Sequence, residues 1–234
     1  MRDPERELTF WLAGPERRLL RAIARRVPNA ITSDHFTALG VLGATAAGVA
    51  YALSAAHGWW LWVATAALVV NWLGDSLDGT LARVRHTERP RYGYYLDHLV
   101  DAYATAVIGI GLGLSPFFSL GVALGLVVVY LALSINVYLE SAVFGKFRLG
   151  YGRFGPTEAR VALMLLNVAP LLFPLAWTRL LGDAVLAAAA LVMLAMLVVR
   201  CAHNLRDLAR LEPLITPGRP VPARAGIPSA TSLA

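Results

Sequence analysis

Cysteine is almost missing from this 234-residue chain, and Cys201 stands alone. An internal disulfide is therefore excluded, and so is a metal cluster built on thiolates. Charge is scarce as well: Asp, Glu, Lys and Arg make up 15% of the residues against 57% hydrophobic ones, with a mean hydropathy of +0.58. Those values exclude an ordinary soluble domain and point to a polytopic membrane protein. No long polar linker divides the apolar stretches, so one unit of modest size is expected. The start of the chain is charged and lacks a short apolar core with a small-residue cleavage site, which argues against a removable signal peptide. The net charge of +6 would suit nucleic acid, but the arginines lie between apolar segments, where membrane topology explains them. A nucleic-acid partner is not expected.

What is present is length and apolarity. A hydrocarbon core about 30 Å thick needs roughly 20 helical residues to cross it. Six stretches approach that length: 36–56, 59–74 running on toward Asp78, 94–114, 117–139, 161–177 and 180–199. They are rich in Ala and Leu and show no alternating polar face of the kind a barrel lumen requires. The expected fold class is all-α, a polytopic membrane protein with six transmembrane helices in a membrane domain at 36–206. Twenty of the 21 basic residues fall on one side of this arrangement and only Arg179 on the other, which places both termini in the cytoplasm.

The leader at 1–35 contains PERRLLRAIARRV, opened by Pro15, with Leu19, Leu20, Ile23 and Val27 on one side and arginines on the other. This suits an interfacial amphipathic helix at the bilayer surface; the alternative is a flexible basic leader. At the other end, 207–234 holds five prolines between Pro213 and Pro228 and few large apolar residues, the composition of a disordered cytoplasmic tail.

Against this apolar background the stretch DSLDGTLARVRHTERPRYGYYLDHLVD, from Asp75 to Asp101, holds four aspartates near the ends of two predicted spans. A charge at the centre of a membrane helix costs about 2.5–3.5 kcal/mol on insertion scales, so the four need compensation. Asp75 and Asp78 are three apart and Asp97 and Asp101 four apart, spacings that put each pair on one helix face. The short loop between the spans makes them antiparallel neighbours and brings both pairs to the same cytoplasmic depth. Converging carboxylates repel one another at reduced dielectric, and Arg83 alone cannot neutralise four. Divalent cations can, and an all-oxygen donor set favours Mg²⁺ or Mn²⁺ over zinc. Two ions sharing four carboxylates is an arrangement suited to phosphoryl-type transfer.

The eight positions Asp75, Asp78, Gly79, Ala82, Arg83, Gly93, Asp97 and Asp101 together resemble the signature of the CDP-alcohol phosphotransferase family, the CDP-alcohol phosphatidyltransferases. The gap between Arg83 and Gly93 is one residue longer than the family's usual spacing, and the extra residue falls in the polar loop HTERPRY, where length is tolerated. The resemblance implies that Asp75, Asp78, Asp97 and Asp101 hold two Mg²⁺ or Mn²⁺ ions, with Asp101 also the general base toward an acceptor hydroxyl. It implies attack of an alcohol on the phosphorus distal to cytidine, with CMP leaving, and a CDP-linked lipid donor in phospholipid biosynthesis. A homodimer in a bacterial inner or plasma membrane is implied as well. Gly79 and Gly93, lacking a β-carbon, let a nucleotide or backbone come close; Ala82 keeps that wall low, and Arg83 offers a planar fork to phosphate oxygens.

Two further stretches bear on substrate. VPNAIT (27–32) resembles the segment before the family's first span, so that Asn29 and Thr32 either help form the nucleotide pocket or mark a helix start. GKFRLGYGRFGPTEAR (145–160) resembles a stretch around GPTE in choline and ethanolamine phosphotransferases. Its Lys146, Arg153 and Arg160 form a pocket for a phosphorylated acceptor, or simply obey the positive-inside rule, as Arg148 does. The GVALG run (121–125) reads as a helix-packing contact, and His35, His86 and His98 as bystanders. Transfer of a phosphatidyl group from CDP-diacylglycerol is the leading expectation, head-group transfer to diacylglycerol the alternative. An ion transporter is a rival from another class, although such sites tend to lie at the bilayer midplane; a prenyltransferase would need two separated aspartate-rich motifs.

Overall fold

The computed structural model describes residues 12–144 and 156–212. Within them the chain is helical throughout: α1 (Ala13–Ala24), α2 (Ser33–Leu53), α3 (Trp60–Arg85), α4 (Pro90–Leu114), α5 (Leu120–Phe144), α6 (Pro156–Leu166), α7 (Ala169–Leu172) and α8 (Leu175–Leu211). Two compact units are formed, Met1–Leu197 and Val198–Ala234. In the second, the described residues continue α8 to Leu211, into the stretch read from the sequence as tail.

Among the described residues, four helices are long and apolar enough to cross a membrane: α2, α3, α5 and α8. Large apolar side chains such as Leu42, Val128, Leu139, Leu165 and Leu191 point outward, the inverse of a soluble protein and the pattern a lipid solvent allows. Six spans are expected from the sequence, and the difference has two causes. α4 is 25 residues long, but Asp97, His98 and Asp101 lower the apolarity of its first half. The expected span at 161–177 is broken into α6, α7 and the first turn of α8. Pro170 and Pro174 each remove a helical N–H donor there. Asn167 is turned inward, accepting from the Tyr51 hydroxyl (3.1 Å) and donating to Thr65 Oγ1 (2.9 Å).

α2 is the spine of the first unit. Small residues cover its inner face, and glycine lets main chain meet main chain on two sides. A β-carbon added at Gly43 would stand 2.5 Å from the Asn71 nitrogen, and one at Gly74 would run into the backbone of Gly40 and Phe36. Those contacts seat α3. Near its other end, α2 meets α4 where Gly48 abuts Gly111 and Val107. As a result, α3 and α4 both pack chiefly on α2 rather than on each other. The antiparallel neighbours expected from the short loop are thus held side by side through a third helix. Gly121 and Gly125 have open space where a β-carbon would be, so the packing of GVALG runs through Ala123, buried in the core, and Val122 rather than through its glycines.

Apolar packing flanks the spine at both ends. At one, Tyr51, Leu61, Leu68, Leu112, Phe117, Phe118 and Leu186 join α2, α3, α4, the α4–α5 connection and α8. Asp183 on α8 accepts there from the Ser119 N–H (2.7 Å) and hydroxyl (2.5 Å). At the other end, Leu20 and Ala24 of α1 bury against Leu77 and Leu81 of α3, with Ile23, Val27 and Trp72 around them. The leader thus contains a helix, α1, with Leu20 and Ala24 packed on α3 and with Leu19 exposed.

Candidate active site

The aspartates occupy the halves of α3 and α4 nearest the turn that joins them. Where α3 stops, His86 adopts the left-handed conformation (φ 54°) and the Thr87 N–H returns to the Ala82 carbonyl (3.0 Å). Pro90 then opens α4, where its fixed φ suits a first helical residue. The sharp reversal brings the four carboxylates within electrostatic reach of one another. The charged neighbours of Asp101 are Asp75, Asp97, Arg160 and Asp78, and those of Asp78 include Asp75 and Asp97.

Three of the acids have distinct partners. Asp75 Oδ2 accepts from Arg160 Nη2 at 2.8 Å, and the two side chains are only 21% and 14% exposed. Arg160 Nε also donates to Asn71 Oδ1 (3.0 Å), and Asn71, fully buried one turn before Asp75, donates to the Gly40 carbonyl (2.9 Å). Asp78 accepts from the Thr37 hydroxyl of α2 (2.8 Å) and the Gly79 N–H (2.5 Å). Asp97 lies 4.0 Å from His98 Nδ1 and is 42% exposed. His98 is held between the rings of Tyr94 (4.1 Å) and Tyr138 (4.6 Å).

Among the described residues, no three His, Cys, Asp or Glu side chains are already gathered as ligands of one ion. The physical reason lies in the partners just named, because Asp75 is turned to a guanidinium and Asp78 to a hydroxyl and an amide. The donor set nevertheless fits a hard divalent cation: it is all oxygen, and around Asp101 three further aspartates stand against one arginine, an excess of negative charge that metal would relieve.

The remaining expected residues divide clearly. Gly79 leaves room for the Arg83 guanidinium, whose Nη1 would lie 3.3 Å from a β-carbon added there; Arg83 also donates to Thr80 Oγ1 (3.2 Å). Gly93 faces open space, and Ala82 is half-buried. Asn29 is exposed in the α1–α2 connection. Thr32 caps α2, with its N–H donating to His35 Nδ1 (3.1 Å) and its hydroxyl 2.8 Å from the same atom. Arg160 sits among the aspartates, whereas Lys146 and Arg153 lie outside the described residues.

A model of the CDP-alcohol phosphatidyltransferases matches residues 25–200, most of the chain and all four aspartates. The chain belongs to this family. Comparison with curated proteins yields no match. Family membership makes the chain a transferase of phospholipid synthesis, and together with its long apolar helices it makes the protein an integral membrane protein.

Several contributors were not singled out from the sequence. Asn71 had a readable signal, a lone amide one turn before Asp75 inside an apolar run. Thr37 and Glu16 had none, since their partners are 41 and 56 residues away. Arg85 had only its charge; it donates to the carbonyls of Ile31 (2.6 Å), Val27 (2.8 Å) and Pro28 (3.0 Å), binding the 27–31 segment to the end of α3.

Proposed function

We propose that the protein transfers a phosphatidyl group from CDP-diacylglycerol to an alcohol and releases CMP. The observation that carries this reading is the convergence of Asp75, Asp78, Asp97 and Asp101 from two helices, with Arg160 bonded to Asp75 and beside Asp101, in a chain of this family. The acceptor hydroxyl gives its proton to a carboxylate oxygen of Asp101, its oxygen forms a bond to the phosphorus bearing diacylglycerol, and the bond from that phosphorus to the CMP oxygen breaks. Arg83, beside Gly79, and Arg160 provide guanidinium forks for phosphate oxygens; a phosphorylated acceptor is the class that Arg160 favours. Mg²⁺ or Mn²⁺ held by the four aspartates would neutralise the diphosphate and make CMP a better leaving group.

The same reading has six membrane crossings, α4 and the broken α6–α7 stretch completing the four long helices. α1 lies at the cytoplasmic surface with Arg17, Arg18, Arg21 and Arg25 outward, both termini are inside the cell, and two copies associate as a homodimer.

The test is incubation of detergent-solubilised protein with CDP-diacylglycerol, a panel of alcohols and Mg²⁺ or Mn²⁺, with identification of the lipid formed and of CMP. A parallel arm supplies CDP-choline and diacylglycerol. CMP release that stops on chelation, returns with added metal and is abolished in a folded Asp101→Asn variant is the expected result. Wild-type rates in that variant, or lipid formed only from CDP-choline, would overturn the assignment.

A further inference from the structure

Glu16 is the one acid of α1, and the transfer reading gives it no role. Its Oε1 accepts three side-chain donors: Trp72 Nε1 at 2.7 Å, Thr157 Oγ1 at 2.9 Å and, more weakly, Ser76 Oγ at 3.5 Å. Trp72 and Ser76 are one turn apart on α3 and bracket Asp75. Thr157 is in the first turn of α6, three residues before Arg160 and so on the same face of that helix. A second bond runs the other way, from the Leu12 N–H to Glu158 Oε1 (3.0 Å).

α6 needs such ties. It is short, only Glu158 of its eleven residues is fully buried, and its apolar contacts with the core, from Leu163, Met164 and Leu166, lie in its second half, so apolar burial does little to fix the first turn along α3. Polar bonds set its register: Thr157 to Glu16, Glu158 to Leu12, and Arg160 to Asn71 and Asp75. The guanidinium that meets the aspartates is carried by a helix whose first turn is strapped down by α1. Hydrogen bonds to a charged acceptor are the stronger kind, which suits one carboxylate to hold three elements together.

We propose that Glu16 is a positioning residue for the transfer reaction: it joins α1, α3 and α6 on one carboxylate oxygen and so keeps Arg160 on the aspartate cluster, where it captures an anionic acceptor. The proposal rests on the transfer reading above, and it acts through Arg160 rather than by touching substrate.

The experiment has two arms. In protein labelled with ¹⁵N-tryptophan in detergent, the Trp72 indole N–H, assigned by its loss in Trp72→Phe, is a direct reporter of the strap. Glu16→Ala should shift that resonance and speed its hydrogen exchange, Glu16→Gln should preserve it through the amide oxygen, and Thr157→Val should leave it in place. In the kinetic arm, with CDP-diacylglycerol and glycerol 3-phosphate, Glu16→Ala and Thr157→Val should each raise the acceptor KM about tenfold with the donor KM unchanged. Glu16→Gln should recover most of the loss, and Glu16→Ala added to Arg160→Ala should cost little more than Arg160→Ala alone.

Equal losses in Glu16→Ala and Glu16→Gln, additivity with Arg160→Ala, or an unchanged acceptor KM in Thr157→Val would overturn the proposal. Thr157→Val removes only the link to α6, so it decides the matter even where Glu16→Ala fails to fold. If wild-type protein releases no CMP, the transfer reading fails, while the strap is judged separately: an indole resonance unmoved by Glu16→Ala would refute it too.

Discussion

Replacing Gly43 by alanine adds one methyl group where α2 crosses α3. The new β-carbon would stand 2.5 Å from the Asn71 nitrogen, 2.8 Å from its Cα and 3.0 Å from the Ala67 carbonyl oxygen. All three are main-chain atoms of a helix, so no side chain can rotate away, and ordinary van der Waals contact returns only if the helices separate by roughly 1 Å. Overpacking of this kind costs about 1–3 kcal/mol. The separation falls on the bonds that shape the site: Asn71 to the Gly40 carbonyl (2.9 Å) and Thr37 to Asp78 (2.8 Å) would stretch past useful length. Misplacement of catalytic groups by about 1 Å can cost on the order of 100-fold in rate. Gly43→Ala is therefore expected to lower the thermal midpoint in detergent and to reduce CMP release by one to two orders of magnitude, about 10- to 100-fold. Gly121→Ala and Gly125→Ala, where a β-carbon meets open space, serve as controls; they should be neutral or gain up to roughly 1 kcal/mol from helix propensity. A Gly43→Ala protein as stable and active as its parent would refute the main-chain contact between α2 and α3.

Other substitutions probe other links. Arg85→Ala frees the carbonyls of Val27, Pro28 and Ile31; limited proteolysis should then cut at 27–31, where the parent protein resists. Asn167→Leu leaves the hydroxyls of Tyr51 and Thr65 without their partner, a loss of about 1–3 kcal/mol seen as a lower thermal midpoint, and adding Tyr51→Phe should recover part of it.

The acids were legible because their chemistry is local. Spacings of three and four put Asp75 with Asp78, and Asp97 with Asp101, on helix faces without knowledge of any other element, and the cost of charge in an apolar run marks them. Their partners were not legible. Whether Asp75 meets metal, Arg83 or Arg160 depends on how α6 lies against α3, and α6 is held by polar bonds to α1 that leave no periodic trace. The glycines divide the same way. Gly43 and Gly74 touch backbone, whereas Gly121 and Gly125, set in an equally apolar run, touch nothing; composition treats them alike. The break near Asn167 could be suspected from Pro170 and Pro174, but apolar length outweighed them, because a hydropathy window averages over a helix stop.

The close approach of Gly48 and Gly111 gives α4 a fulcrum. Asp101 lies ten residues away along the helix, about 15 Å at 1.5 Å per residue, so a tilt of a few degrees about that point swings its carboxylate by roughly 1 Å. Between fulcrum and acid there is a catch, the hydrogen bond between the Thr45 and Tyr103 hydroxyls at 2.8 Å. α3, pressed to α2 along Gly40, Gly43 and Gly74, has no such freedom. The two acids of α3 form a fixed jaw, and those of α4 ride on a lever.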